Sequence, residues 1–194
     1  MTVPAPGLAG RYGRRVRTPE LPMAFTFPEF ARGAVRAWVA FQLVFPLSYP
    51  VIIVVAALTA PAADLGQAIS DTWAQALAWG LLGIVMTFVF ALPWSIGALM
   101  VVGAPAAWLL GMSLRRVRSF PVHLTLFAML GLGVGALTAW LASSTMSTGA
   151  GIPYIAIGGL VTAASVAHGW RRTASRALGD DAVTLEQASA TRHP

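Results

Sequence analysis

The segment AWVAFQLVFPLSYPVIIVVAALTA, residues 37–60, contains no charged side chain over 24 residues. This length is what an α-helix needs to cross a bilayer. Upstream, TFPE at residues 26–29 has the pattern of a capping box with a proline in the first turn, which predicts that a helix begins there. The segment therefore predicts a first transmembrane helix and an integral membrane protein.

The composition of the whole chain agrees with this prediction. It is 57% hydrophobic and 10% charged, with a mean hydropathy of +0.70, whereas about a quarter of the residues in a soluble domain are charged. All 13 basic residues are arginine, and lysine, asparagine and cysteine do not occur. Arginine use with abundant alanine and glycine is typical of a GC-rich bacterial genome. The lack of cysteine excludes disulfides and thiolate metal sites.

Three further uncharged stretches cover residues 72–114, 122–142 and 152–170. The first has 43 residues, which would form about 64 Å of helix and is too long for one straight crossing. It either crosses twice, with a hairpin near Pro93, or crosses once and continues beyond residues 103–105 as an interfacial or re-entrant helix. The number of spans therefore depends on this stretch.

The positions of the arginines favour the single crossing. One crossing places all 13 arginines on one side of the membrane, and two crossings would divide them almost equally, against the positive-inside rule. We therefore predict an all-α protein of the bacterial inner membrane with four spans and both termini in the cytoplasm.

A cleaved signal peptide is the alternative for the first span, but its apolar region is long and begins far from the N-terminus. The predicted organisation is a disordered, arginine-rich arm (1–25), a membrane domain (26–172) with spans at 37–60, 73–97, 122–142 and 152–170, and a flexible tail (173–194).

The two prolines of the first span predict a kink near the middle of the bilayer. Pro46 and Pro50 lack the N–H groups that would bond two helix carbonyls, so those carbonyls need other partners. The kink would be satisfied by neighbouring helices, or it would form a midplane pocket for a neutral or lipidic ligand, as broken helices do in transporters. The residues of this candidate pocket are Gln42, Pro46, Ser48, Tyr49 and Pro50.

Small residues in the last two spans predict close helix packing. GLGVG at residues 131–135 lacks the strand and helix context of a dinucleotide loop, and small residues spaced four apart in an apolar helix mark a packing face. We predict a tight hairpin in which Gly131 lies near Ala163 and Gly135 lies at the level of Gly159. The same face could instead form a homodimer, and the sequence leaves the oligomeric state open.

Polar groups near the membrane surface predict contacts with lipids. Arg115, Arg116, Arg118, Arg171 and Arg172 are candidate contacts for lipid headgroups, or they only set the orientation of the spans. No nucleic-acid surface is expected.

Two histidines, His123 and His168, fall at matching depths in the predicted hairpin. They are too few for a zinc site, so no metal or other cofactor is expected. Histidines at the membrane interface that touch headgroups are the preferred interpretation.

The predicted spans contain no Asp, Glu, Lys or Arg, which acid–base catalysis and ion-coupled transport usually require. We therefore expect a non-enzymatic protein, a structural or accessory component of a membrane complex. Its partners would be membrane lipids and other membrane-protein subunits. The alternative is a small transporter or channel subunit with a neutral or lipidic site at the midplane.

Overall fold

The structure, a computed structural model, describes residues 23–59, 65–146 and 151–190. All regular elements in this part of the chain are helical, which confirms the all-α prediction for these residues. Three helical stretches are long and apolar enough to cross a membrane, Leu82–Leu114, Phe120–Thr145 and Gly151–Gly179. The elements are α1 (Phe27–Leu47), α2 (Tyr49–Thr59), α3 (Leu65–Ala98), a π-helical segment (Leu99–Gly103), α4 (Ala104–Leu114), α5 (Phe120–Met146) and α6 (Gly151–Ala190).

The first helix begins with the predicted capping box. The Thr26 N–H donates to the Glu29 carboxylate at 2.8 Å, and the Glu29 N–H donates to Thr26 Oγ1 at 3.4 Å. These reciprocal bonds satisfy N–H groups that the first turn of a helix leaves without partners. The capping box therefore fixes where α1 starts.

The predicted first span, residues 37–60, is divided at Ser48 into α1 and α2 and is not one of the three candidate spans. The Ser48 N–H donates to the carbonyls of Val44 at 3.1 Å and Phe45 at 3.0 Å. The Ser48 hydroxyl also donates to the Phe45 carbonyl at 2.6 Å. Hydrogen bonds to backbone carbonyls therefore occupy both donors of Ser48 at this break.

The long uncharged stretch stays helical through residues 103–105. The sequence predicted either a hairpin earlier in this stretch or a separate helix after these residues. The helix widens into a π turn, and the Ala104 N–H donates to the Leu99 carbonyl. Pro105 then falls in the first turn of α4, where its missing N–H is tolerated. The π turn therefore joins α3 and α4 without an interruption.

The α3–α4 helix runs antiparallel to α1 and α2. Tyr49 lies against Gly83, and the Trp38 indole bonds Ser95 twelve residues further along α3. At the other end, the ring centroid of Phe30 is 5.2 Å from that of Trp108. Because these contacts continue in one order, α4 follows the direction of α3 and meets the start of α1 through the ring of Trp108.

The last two helices form a hairpin that packs against α1. At one end Gly33 lies against Thr173, and at the other the rings of Phe45 and Tyr154 meet edge to face with centroids 5.8 Å apart. Helix α6 is therefore antiparallel to α1. The helices alternate in direction along the chain, as in an up-and-down bundle.

Helix α6 does not end with the predicted last span at residue 170, because it continues to Ala190. The sequence predicted a flexible tail from residue 173. Trp170, Ala174 and Ala177 are instead buried at the spacing of one helix face, so this short apolar stripe holds the helix against the bundle. The predicted arm lies outside the described residues up to residue 22, and so does the end of the tail, residues 191–194.

Candidate functional site

A partly open cavity of about 1090 Å³ lies between α1, the α3–α4 helix and the α5–α6 hairpin. Its wall on α1 and α2 extends from Phe30 to Ile52, about 33 Å along a helix. This length is close to the thickness of the hydrocarbon core of a bilayer. The volume lies slightly above the range for small-molecule sites, about 300–1,000 Å³.

The wall of the cavity is mainly apolar. Two of its hydroxyl groups donate to carbonyls of their own helices, Thr138 to Val134 at 2.7 Å and Thr162 to Gly158 at 2.7 Å. Their protons are therefore not offered to a ligand. A molecule in the cavity would meet mostly methyl, methylene and aromatic groups.

A small polar cluster joins α1 to α3 at the cavity wall. The Trp38 indole N–H donates to Ser95 Oγ at 3.1 Å. The single hydroxyl proton of Ser95 can reach the Leu92 carbonyl at 3.0 Å or Gln42 Oε1 at 3.3 Å. Gln42 is only 4% exposed, and its Nε2 has no hydrogen-bond partner. The sequence predicted Gln42 as part of a midplane pocket but did not predict that it meets Ser95.

The predicted midplane pocket is only partly present in this cavity. Tyr49 lines the cavity, and its ring lies so close to Gly83 that a Cβ atom there would overlap it. Gln42 and Pro46 are buried and Ser48 and Pro50 half-buried, but none of these four is a lining residue. The Ser48 hydroxyl bonds its own helix, so it offers no proton to a pocket. The cavity therefore lies beside the proline break and extends well beyond it.

The predicted packing residues lie between α5 and α6. A Cβ atom on Gly131 would lie 3.0 Å from Ala163 Cα. A Cβ atom on Gly135 would lie 2.8 Å from the Gly158 carbonyl oxygen and would overlap Thr162, whereas Gly159 faces Leu132 and Ala136. The expected pairing of Gly135 with Gly159 is therefore displaced by one residue. The reason is that a residue of one packed helix fits between two residues of the other.

A second close approach, between α1 and α6, was not predicted. A Cβ atom on Gly169 would lie 2.7 Å from the Gly33 carbonyl oxygen and 2.8 Å from Ala37 Cβ. Gly33 and Ala37 are spaced four apart, so the small-residue pattern used for α5 and α6 could have identified this contact. It brings Arg32 and Arg36 of α1 to the same end of the bundle as Arg171 and Arg172.

The five arginines predicted to contact headgroups, Arg115, Arg116, Arg118, Arg171 and Arg172, are all exposed. The Met23 N–H donates to the Arg115 carbonyl at 3.3 Å, which places the α4–α5 connection beside the start of α1. The described arginines therefore gather at one end of the bundle. Of the described residues that line the cavity, Arg115 alone is charged.

The two histidines do not meet, and His123 does not lie at the surface as expected. Its side chain is fully buried, its ring stacks on Trp170 with centroids 5.4 Å apart, and its Nε2 lies 2.9 Å from the Val117 carbonyl oxygen. His168 is exposed. The described residues contain no group of three or more His, Asp or Glu side chains that could hold a metal ion.

A second, smaller groove of about 410 Å³ lies between the α3–π segment and α5. It shares four lining residues with the central cavity, so one layer of side chains separates the two spaces. The shared residues are Trp94, Ala98, Val134 and Thr138.

Comparison with known proteins finds no matching family model, no similar curated protein and no similar solved structure.

Proposed function

We propose that this chain is a non-enzymatic protein of the bacterial inner membrane that holds a lipid-like molecule in its central cavity. The observation that carries the proposal is an apolar, partly open cavity about as long as the hydrocarbon core of a bilayer, with walls from α1, the α3–α4 helix and the α5–α6 hairpin. Water gains little from an apolar wall, and small ions would lose their hydration there. A hydrocarbon chain keeps an apolar environment on moving from the bilayer into such a space.

The proposal includes a four-span arrangement in which α1 and α2 together cross the membrane beside the three candidate spans. The gathering of arginines at one end of the bundle supports this arrangement, because the positive-inside rule then places that end in the cytoplasm. The alternating directions of the helices would put both termini on that same side.

The groove between α3 and α5 supports a route between the cavity and the bilayer. Only the layer that contains Ala98 and Val134 separates the groove from the cavity. A lipid chain could pass there when the two helices move apart, without crossing the polar surface of the membrane.

A second candidate function is that of an accessory subunit, which the sequence favours. The α3–α4 helix supports it, because large apolar side chains are exposed along its length, including Phe90 at 55% and Leu109 at 60%. Such a face suits either lipid or the helix of another subunit.

The experiment compares two tryptophan substitutions on α3. Ala91→Trp introduces a large ring into the cavity wall, whereas Val89→Trp places the same ring on a side chain that is 50% exposed and does not line the cavity. The full-length protein and both variants are purified in a mild detergent, and retained lipid is counted by native mass spectrometry.

We expect the wild type and Val89→Trp to retain lipid and Ala91→Trp to retain less. Equal retention by all three proteins would overturn the proposed cavity function. If none of them retains lipid and a stoichiometric protein partner copurifies from native membranes, the accessory role would replace it.

A further inference from the structure

We propose that the molecule held in the cavity is an anionic phospholipid whose headgroup lies at Arg115 and whose chains extend toward Tyr49. This inference rests on the proposed lipid-binding function and adds the charge and the direction of the ligand. It follows from the unequal chemistry of the two ends of the cavity.

Charge marks one end as the headgroup end. Arg115 is the charged side chain of the described cavity wall, and the structure gives its guanidinium no ion pair with a described carboxylate. A guanidinium binds phosphate oxygens through two parallel N–H groups. Because Arg115 is exposed at the mouth of the cavity, it can meet a phosphate without the cost of burying an uncompensated charge.

A tryptophan, Trp108, marks the same end. Tryptophan favours the headgroup level of a bilayer, where its ring is in an apolar region and its N–H is near water. Trp108 packs against Phe27 and Phe30 at the start of α1. Trp108 lines the cavity and lies seven residues before Arg115, about 10 Å along the helix.

The other end of the cavity suits hydrocarbon chains. It is bounded by Tyr49, Ile52 and Gly83 on one side and by Ala142 and Tyr154 on the other. None of these residues is Asp, Glu, Lys or Arg. About 32 residues of helix separate Gly83 from Arg115, or about 48 Å. A lipid with its phosphate at Arg115 therefore has room for extended chains between Arg115 and the Gly83 end of the cavity.

The test measures the lipid selectivity of the full-length protein. Purified protein is equilibrated with mixed micelles that contain equal amounts of phosphatidylglycerol and phosphatidylcholine with the same acyl chains, and bound lipids are counted by native mass spectrometry. We expect the wild type to favour phosphatidylglycerol. One arginine near the headgroups contributes about 1 kcal/mol of attraction to an anionic lipid, which converts to about fivefold in binding ratio.

Arg115→Gln should therefore lower the ratio of bound phosphatidylglycerol to phosphatidylcholine by about fivefold. The matched control is Arg176→Gln, which removes an exposed arginine at the same end of the bundle that does not line the cavity. It should leave the ratio close to that of the wild type.

The direction is tested with a phosphatidylglycerol that carries a photoreactive diazirine in its headgroup and another that carries it at the end of an acyl chain. We expect the headgroup probe to label peptides that contain Trp108 or Arg115, and the chain probe to label those that contain Ala98 or Leu99, which line the cavity about 25 Å along the helix from Arg115. The reverse pattern would overturn the direction.

Equal binding of both lipids, or equal effects of the two arginine variants, would overturn the anionic headgroup while lipid retention still supported the proposed function. Failure of both lipids to bind the wild type would reject the proposed function itself.

Discussion

The indole N–H of Trp38 donates a hydrogen bond to Ser95 Oγ at 3.1 Å, and this bond joins α1 to α3 at the wall of the cavity. The residues are separated by 57 positions in the sequence. Both line the cavity, so the bond fixes the distance between two of its walls. The buried Gln42 lies beside them with its Nε2 unsatisfied.

We expect Ser95→Ala to destabilise the bundle, because it removes the acceptor of Trp38 and the hydroxyl that reaches Gln42. The free energy of unfolding should fall by about 1–2 kcal/mol, measured as thermal unfolding in detergent. Ser113→Ala is the control, since the exposed Ser113 hydroxyl only bonds Leu109 of its own helix, and it should have little effect. If the two variants unfold at the same temperature, the bond across the cavity contributes no stability.

The glycines of α5 provide a second test of packing. Gly135→Ala should destabilise the hairpin, because its Cβ atom would lie 2.8 Å from the Gly158 carbonyl oxygen. Gly133→Ala adds a methyl group where no atom lies within 4 Å, so it should be neutral or stabilising, as alanine favours helix more than glycine does. The measurement is the unfolding temperature in detergent. A loss of stability in Gly133→Ala as large as that in Gly135→Ala would contradict the packing described for α5 and α6.

The four-span topology can be tested with single cysteines, because the natural chain has none. Cys at Ser144, exposed near the end of α5, should react with a membrane-impermeant thiol reagent that is added outside intact cells. Cys at Ser119 or Ser175, at the arginine end of the bundle, should react only after the membrane is permeabilised. Reaction of Ser119→Cys in intact cells would place Arg115 and its neighbours outside and reject the proposed orientation.

The break at Ser48 can be tested by measuring the end-to-end distance of the first span. Spin labels at Val39 and Val51, exposed by 43% and 54%, would be about 18 Å apart on a straight helix at about 1.5 Å per residue. Replacing both Pro46 and Pro50 by alanine restores two backbone N–H groups, so we expect this distance to increase. Labels at Met129 and Leu141 on α5 are the control pair in the same variant, and their distance should not change. An unchanged first distance would show that contacts such as that of Tyr49 with Gly83 impose the break.

The sequence by itself determined the helical elements at the start of the bundle and at its tightest hairpin. The apolar stretches have the length of membrane-crossing helices, the pattern at residues 26–29 defines the start of α1, and the small residues of α5 and α6 indicate that they pack closely. These features depend on residues that are near one another in the chain. Local hydrogen bonding and helical periodicity are therefore enough to predict them.

The tertiary structure decided which residues form the cavity, because contacts between distant helices depend on how each helix is rotated and bent. The π turn before Pro105 keeps α4 in the direction of α3, and this continuity places Arg115 at the mouth of the cavity. The apolar stripe through Ala174 and Ala177 similarly extends α6 where the sequence predicted a flexible tail. Most of the predicted pocket residues lie behind the cavity wall, since Ser48 satisfies its own helix and Gln42 turns toward Ser95. The sequence specifies the type of each side chain, but the packing of all the helices together determines the direction in which it points.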